Sequence, residues 1–126
     1  ARKEPGATQV IPIAPSVTSA QAWLDALPAD RLVFLFKHSP ICGTSALAQE
    51  EVERFEAANA ATPVYLVDVI DQRPLSQEFA AVLGVGHASP QIVLLRGARP
   101  LWNASHWRIR QDVMEAEVAR AGPSGD

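Results

Sequence analysis

One cysteine stands in the whole chain, and its setting decides what it can do. Cys42 follows the run Arg31-Leu-Val-Phe-Leu-Phe-Lys37-His38-Ser39-Pro40-Ile41 and opens the tetrapeptide Cys42-Gly43-Thr44-Ser45. Beyond it, Ala48, Val52 and Phe55 recur at helical spacing with Glu50, Glu51, Glu53 and Arg54 between them, which predicts a helix that starts beside the thiol. Unpaired N–H groups and the positive end of a helix dipole favour the thiolate over the thiol. The pKa then falls below the reference of about 8.5, and the thiolate is the reactive form. Lys37 and His38 can add positive charge, and the hydroxyls of Thr44 and Ser45 can add hydrogen bonds. The alternative is a buried structural cysteine, since free Cys is among the most buried residue types. The polar, loop-like Ser-Pro-Ile-Cys-Gly-Thr-Ser context argues against it, because such a segment cannot easily bury its backbone.

The elements that must position this thiol are legible around it. The apolar run ahead of Lys37 reads as a central strand buried on both faces, and the helix after Cys42 is expected to run to about Ala60. Thr62-Pro63 punctuates, and Val64 to Ile70 reads as a second buried strand; strand, helix, strand is a right-handed crossover that makes the two strands parallel. Upstream, Val10 to Ile13 reads as a short edge strand, where Pro12 is tolerated. Ser16 to Ser19 offer caps for a helix over Ala20 to Leu27, with Trp23 as core packing and Pro28 as its stop. Downstream, Leu75 to Leu83 reads as a short helix with Phe79, Val82 and Leu83 inward and Gly84 as a left-handed cap. Ser89-Pro90 then heads a strand ending at Arg96, Gly97 to Pro100 turn, and Leu101 to Asn103 pair back as a hairpin strand. Ser105 to Ile109 is irregular, and a last helix spans about Gln111 to Ala121.

Composition narrows the function. With 126 residues the chain fits one domain, expected over 16–121, between a loose segment 1–15 carrying the edge strand and a disordered tail 122–126. A net charge of −3 with scattered Lys and Arg gives no footprint for nucleic acid. A single cysteine cannot close an internal disulfide, so any disulfide it makes is with another molecule. That suits a reducing cytosol, the expected location. The apolar run Val10 to Ala14 is short and broken by proline, unlike a signal peptide or membrane span. No metal-ligand spacing stands out. A phosphatase-type C-x5-R loop would need Arg at position 48, where Ala48 stands. A Cys/His hydrolase built on His38, His87 or His106 fits poorly.

The order of these elements resembles the thioredoxin fold: α/β, with a central mixed sheet of about four strands and helices on both faces. In that fold a proline, usually cis, begins the strand opposite the reactive cysteine, and Ser89-Pro90 stands at the matching place. A cis X-Pro bond is infrequent, and the alternative is a trans proline that merely starts a strand. The cis form would leave the Ser89 backbone free to pair with an extended substrate segment. A closer resemblance follows from Phe36-Lys37-His38-Ser39, Cys42 and Ser45 followed by Ala46, Ala88-Ser89-Pro90-Gln91 and Ala104-Ser105-His106-Trp107-x-Ile109. Over about residues 16 to 121 the chain resembles the YtxJ family of monothiol bacilliredoxins. It departs in having Cys-Gly-Thr-Ser where the family commonly has Cys-Pro-Ile-Ser, and glycine is less preorganised than proline for a first helical turn. It also has Arg110 where Thr is usual, which weakens the expected N-cap of the last helix.

The resemblance implies a thiol-disulfide oxidoreductase that removes bacillithiol, a low-molecular-weight thiol, from oxidised client proteins. Cys42 would attack the mixed disulfide and keep the bacillithiol, with Ser45 hydrogen-bonding sulfur. Lys37 or His38 would supply a positive field, Gly43 to Ser45 helix N–H groups, and Ser89 with Pro90 the docking edge. His106 and Trp107 stand near where related glutaredoxins hold part of the small thiol, though packing of the last helix would equally explain them. No cofactor or metal is expected beyond the small thiol as co-substrate. Expected partners are bacillithiolated clients and bacillithiol or a reductase for regeneration, with no nucleic acid or membrane and a monomeric state. A rival is a monothiol glutaredoxin-like [2Fe–2S] carrier, since Cys-Gly-Thr-Ser differs at one position from Cys-Gly-Phe-Ser. The Gly-Gly plus acidic motif of those proteins does not follow Pro90 here. A third reading is an inert thioredoxin-like interaction module, in which Cys42 would be unreactive.

Overall fold

A computed structural model describes residues 10–123. The expected loose residues 1–9 and the end of the tail, 124–126, lie outside the described residues.

The central strand is β2 (Leu32–His38), buried at every residue but the last. Its neighbours are β3 (Val64–Asp68), parallel to it, and β4 (Gln91–Arg96), antiparallel. An unbroken apolar run is stable here because helices cover both faces. On one face Phe34 and Phe36 pack with Ala48, Val52 and Phe55 of α2 (Gly43–Ala58) and Met114 of α4 (Gln111–Ala121). Phe34 and Phe55 meet edge to face, with ring centres 5.1 Å apart. On the other face Val33 and Leu35 pack with Ala20 and Leu24 of α1 (Ala20–Asp25) and with Leu75 and Phe79 of α3 (Arg73–Leu83). Trp23 joins this second core through edge-to-face contacts with Tyr65 and Phe79.

Two edge strands complete the sheet in the order β1-β3-β2-β4-β5: β1 (Ile11–Pro12) and the hairpin strand β5 (Arg99–Ser105). The sheet therefore has five strands rather than about four. The fifth is β1, the edge strand expected over Val10 to Ile13, whose ladder to β3 covers only two residues and continues in the Ile13 N–H bond to the Leu66 carbonyl at 2.8 Å. So short a pairing, with a proline in it, leaves almost no periodic signal in sequence.

Other boundaries moved for local reasons. β3 ends at Asp68 rather than Ile70, because the Asp68 carboxylate accepts the N–H groups of Ile70 and Asp71 at 2.8 and 3.0 Å and turns the chain. α3 starts at Arg73, two residues ahead of Leu75, with Pro74 in its first turn, where a missing N–H costs nothing. Val82 is 39% exposed instead of inward. Gly84 caps α3 in the left-handed region, φ 67°. Gly97, φ 57°, turns the β4–β5 hairpin where a Cβ would stand 2.6 Å from the Ala29 carbonyl oxygen, so no other residue fits. Arg110 caps α4 with no side-chain bond; instead Glu51 of α2 reaches across and accepts the Gln111 N–H at 2.9 Å. Among the described residues no helix is long and apolar enough to cross a membrane.

Candidate active site

Cys42 is the N-cap of α2, in extended backbone conformation, with its thiol half-buried. Its N–H donates to the Ser39 carbonyl at 3.3 Å and its carbonyl accepts the Ala46 N–H at 3.1 Å, so the residue is fixed between loop and helix. Hydrogen bonding from the backbone N–H of Ser45, then of Thr44, holds the thiol below its ordinary pKa; partial burial opposes this, and the two hydroxyls add to it. These are first-turn donors with no partner inside the helix. Ser45 is fully buried, and its Oγ accepts the Ser39 N–H at 3.2 Å. That bond ties the lead-in loop to the first turn of α2 and leaves the hydroxyl proton for sulfur. Gly43 is exposed, and a Cβ on it would meet open space.

The Ser89–Pro90 bond is cis. Lys37 pairs with Gln91 in the β2–β4 ladder, which sets Pro90 beside His38 and Ser39, at the end of the sheet that carries Cys42. The Ser89 Oγ is buried without a partner. The Pro90 carbonyl accepts the His106 N–H at 3.0 Å. His106 has φ 56°, left-handed for a residue with a Cβ, and it opens a short 3-10 turn, His106–Arg108. Such a conformation persists where its surroundings fix it. Between this turn and α2 lies a groove of about 290 Å³, lined by Thr44, Leu47, Arg54, His106, Trp107 and Arg110 among others. Trp107 is 69% exposed, and Ile41, directly before the cysteine, is 83% exposed.

The two residues of the Lys-His lead-in point to opposite faces of β2. His38 shares the face of Phe36, with ring centres 5.5 Å apart, and is half-buried with Nδ1 unpartnered. Burial pushes its pKa down against the pull of Asp68 and Glu53, so near neutral pH it is an uncharged ring. Lys37 is 1% exposed and lies on the α1/α3 face. Burial lowers its pKa from 10.5 to about 8, and its Nζ stands 3.4 Å from Nδ1 of His87. Sequence reasoning did not couple His87 to this site. Only the fold of the segment ahead of Pro90 brings it to Lys37, and no spacing rule links residues 50 positions apart.

A thiol on a helix N-terminus, opposite a cis-proline at the end of a mixed sheet, defines a thioredoxin-fold thiol oxidoreductase. Solved structures agree. The chain is 26% identical to a protein described as a thioredoxin-fold oxidoreductase, with a TM-score of 0.72 over 88% of this chain and 91% of that one. Thioredoxin NaTrxh from Nicotiana alata matches in fold at 19% identity and a TM-score of 0.71, covering 96% and 97% of the two chains. Thioredoxin f2 from Chlamydomonas reinhardtii matches at 14% identity and 0.69, covering 93% and 100%. More specifically, residues 16–114 match the monothiol bacilliredoxin BrxC family, and the chain belongs to that family.

Proposed function

We propose that the protein removes bacillithiol from S-bacillithiolated proteins through a mixed disulfide at Cys42. The observation that carries this reading is the activated thiol at the head of α2 in a chain with no second cysteine, together with membership of the bacilliredoxin family. In the first step the Cys42 thiolate attacks the bacillithiol sulfur of the client's mixed disulfide. The Cys42–S–S–bacillithiol bond forms, the client S–S bond breaks, and the electron pair leaves on the client thiolate, with no net oxidation. In the second step an external thiolate attacks the adduct and returns Cys42 to its reduced form. No internal thiol competes for the adduct.

Each site residue has a physical task in this scheme. The Ser45 and Thr44 N–H groups hold negative charge on sulfur before attack and again on departure. Ser45 occupies the resolving position and, being a hydroxyl, stabilises sulfur without trapping it. Gly43 leaves the approach to the thiol open. Ser89 and Pro90 offer the backbone edge on which an extended client segment lies, and Ile41 and Trp107 offer it apolar surface. The groove beside Thr44, His106 and Trp107 takes the body of the small thiol.

The direct test uses a bacillithiolated client and follows release of its free thiol. Wild-type protein restores the client, whereas Cys42→Ala folds but does not. Equal activity of the two proteins excludes the mechanism. A brown [2Fe–2S] chromophore after anaerobic reconstitution, with no dethiolation, would favour the cluster-carrier reading instead.

A further inference from the structure

The end of the sheet away from Cys42 carries a cluster of cations. Arg96 closes β4 and pairs with Leu32, the first residue of β2, so six residues of extended strand, about 20 Å, lie between it and the end that carries the thiol. Across the β4–β5 ladder Arg96 stands directly opposite Arg99. Like charges so placed repel and destabilise a sheet. Leu94 pairs with Trp102 and Leu95 with Pro100, so a bulge leaves Leu101 as an extra residue. Bulges re-aim side chains. Here Leu101 and Trp102 line one cavity of about 230 Å³ together with Leu94, Arg96, Arg99 and Arg120.

Arg96 has a structural task. Its Nη1 donates to the carbonyls of Asp30 and Pro123 at 3.1 and 3.2 Å, and its Nη2 to those of Ala121 and Gly122 at 2.7 and 3.4 Å, which holds the C-terminal end of α4. These partners are carbonyls, so the guanidinium is fixed in place while no carboxylate meets its charge. That task does not account for Arg99, which is exposed and, among the described residues, makes no hydrogen bond or ion pair. Arg120 meets Glu117 at 3.5 Å, the one carboxylate on the cavity wall. Three guanidiniums against one carboxylate give the wall a formal charge of +2, in a chain whose net charge is −3.

We propose that this cavity is a binding site for a small phosphomonoester whose organic part is flat and apolar. A phosphate monoester carries close to two negative charges near pH 7, which matches the wall, and its several acceptor oxygens suit guanidinium forks. Bound between Arg96 and Arg99, it screens the one from the other and removes a repulsion that the hairpin otherwise sustains. Trp102, Leu94 and Leu101 supply the apolar wall for the rest of the molecule. The volume lies below the roughly 300–1,000 Å³ of a drug-sized site, which restricts the ligand to a small one. The site is separate from the thiol chemistry and does not depend on it.

The test titrates the intact protein with phenyl phosphate, inorganic phosphate and phenol at constant ionic strength, following the indole N–H signals of Trp102 and Trp107 by NMR. Phenyl phosphate is expected to shift the Trp102 signal saturably. Phenol, lacking the charge, and inorganic phosphate, lacking the ring, should each bind at least about tenfold more weakly. Arg99→Gln and Arg120→Gln, both at exposed positions, are each expected to weaken phenyl phosphate about tenfold, the loss of one charge-assisted bond. Arg31→Gln removes an exposed charge that does not line the cavity, and should change the affinity by less than about twofold because such a charge is screened. No saturable shift at Trp102, a shift at Trp107 alone, equal binding of phenyl phosphate and either simpler probe, or equal weakening by all three variants would overturn the site.

Discussion

At the scale of single residues, the chemistry depends on how few groups act on sulfur. The donors that lower the Cys42 pKa come from Ser45 and Thr44, so truncating the Ser45 hydroxyl has two effects. Ser45→Ala should move the midpoint of the pH–rate profile for thiolate alkylation upward, because less anion is stabilised. It should also cost about 1–3 kcal/mol of stability, since the buried Ser39 N–H loses its acceptor. Iodoacetamide kinetics against pH and denaturant unfolding check the two effects separately. Lys37 makes a prediction of opposite kind. Its folded pKa of about 8 lies below 10.5, so between those values the unfolded chain binds more protons and stability rises with pH. Lys37→Met should abolish that rise and add up to about 3 kcal/mol below pH 8, measured by urea unfolding at pH 7 and 10. A flat wild-type profile across that window would contradict the buried charge.

At the scale of elements, the departures from the bacilliredoxin pattern find their compensation in tertiary structure. Arg110 cannot cap α4, but Glu51 accepts the Gln111 N–H from a neighbouring helix. Glu51→Ala should therefore destabilise by about 1 kcal/mol and speed amide exchange at Gln111, an effect that hydrogen exchange resolves residue by residue. Gly43→Pro is expected to be tolerated, since a Cβ meets open space and the first helical position needs no N–H. It should raise stability by roughly 0.4–1 kcal/mol through the unfolded chain, with the thiol pKa unchanged because its donors are elsewhere. The elements themselves were largely legible. The apolar run of β2, the helical period of α2 and the glycine cap of α3 are local signals strong enough to survive any context. β1 was ambiguous because two residues give no period, and the Asp68 turn because Val69 and Ile70 continue the β-branched run past the residue that ends the strand. The cysteine, its serine and the cis-proline could be placed from sequence. The burial of Lys37, the Glu51 cap and the left-handed His106 could not, since each depends on a partner from a distant segment.

At the scale of the whole molecule, the sheet serves as a rigid frame that brings two sequence-distant loops to one end. β2 delivers Cys42 and β4 begins at the cis-proline, and their antiparallel ladder fixes the distance between them. The two cores that grip this frame are dominated by aromatic and aliphatic side chains on either side of β2. Phe55→Ala should cost about 3–5 kcal/mol, and near its melting temperature should lose thiol acidity together with fold, because this packing against Phe34 anchors α2, the helix whose first turn carries the donors to sulfur. The central claim is the division of the client disulfide: the small thiol stays on Cys42 and the client leaves. Mixing wild-type protein with a bacillithiolated client, quenching with acid and weighing the intact species tests it most directly. The account predicts a one-to-one Cys42 adduct heavier by one bacillithiol, alongside free client. A covalent complex of Cys42 with the client itself, or an unmodified Cys42 beside an intact client disulfide, would contradict it.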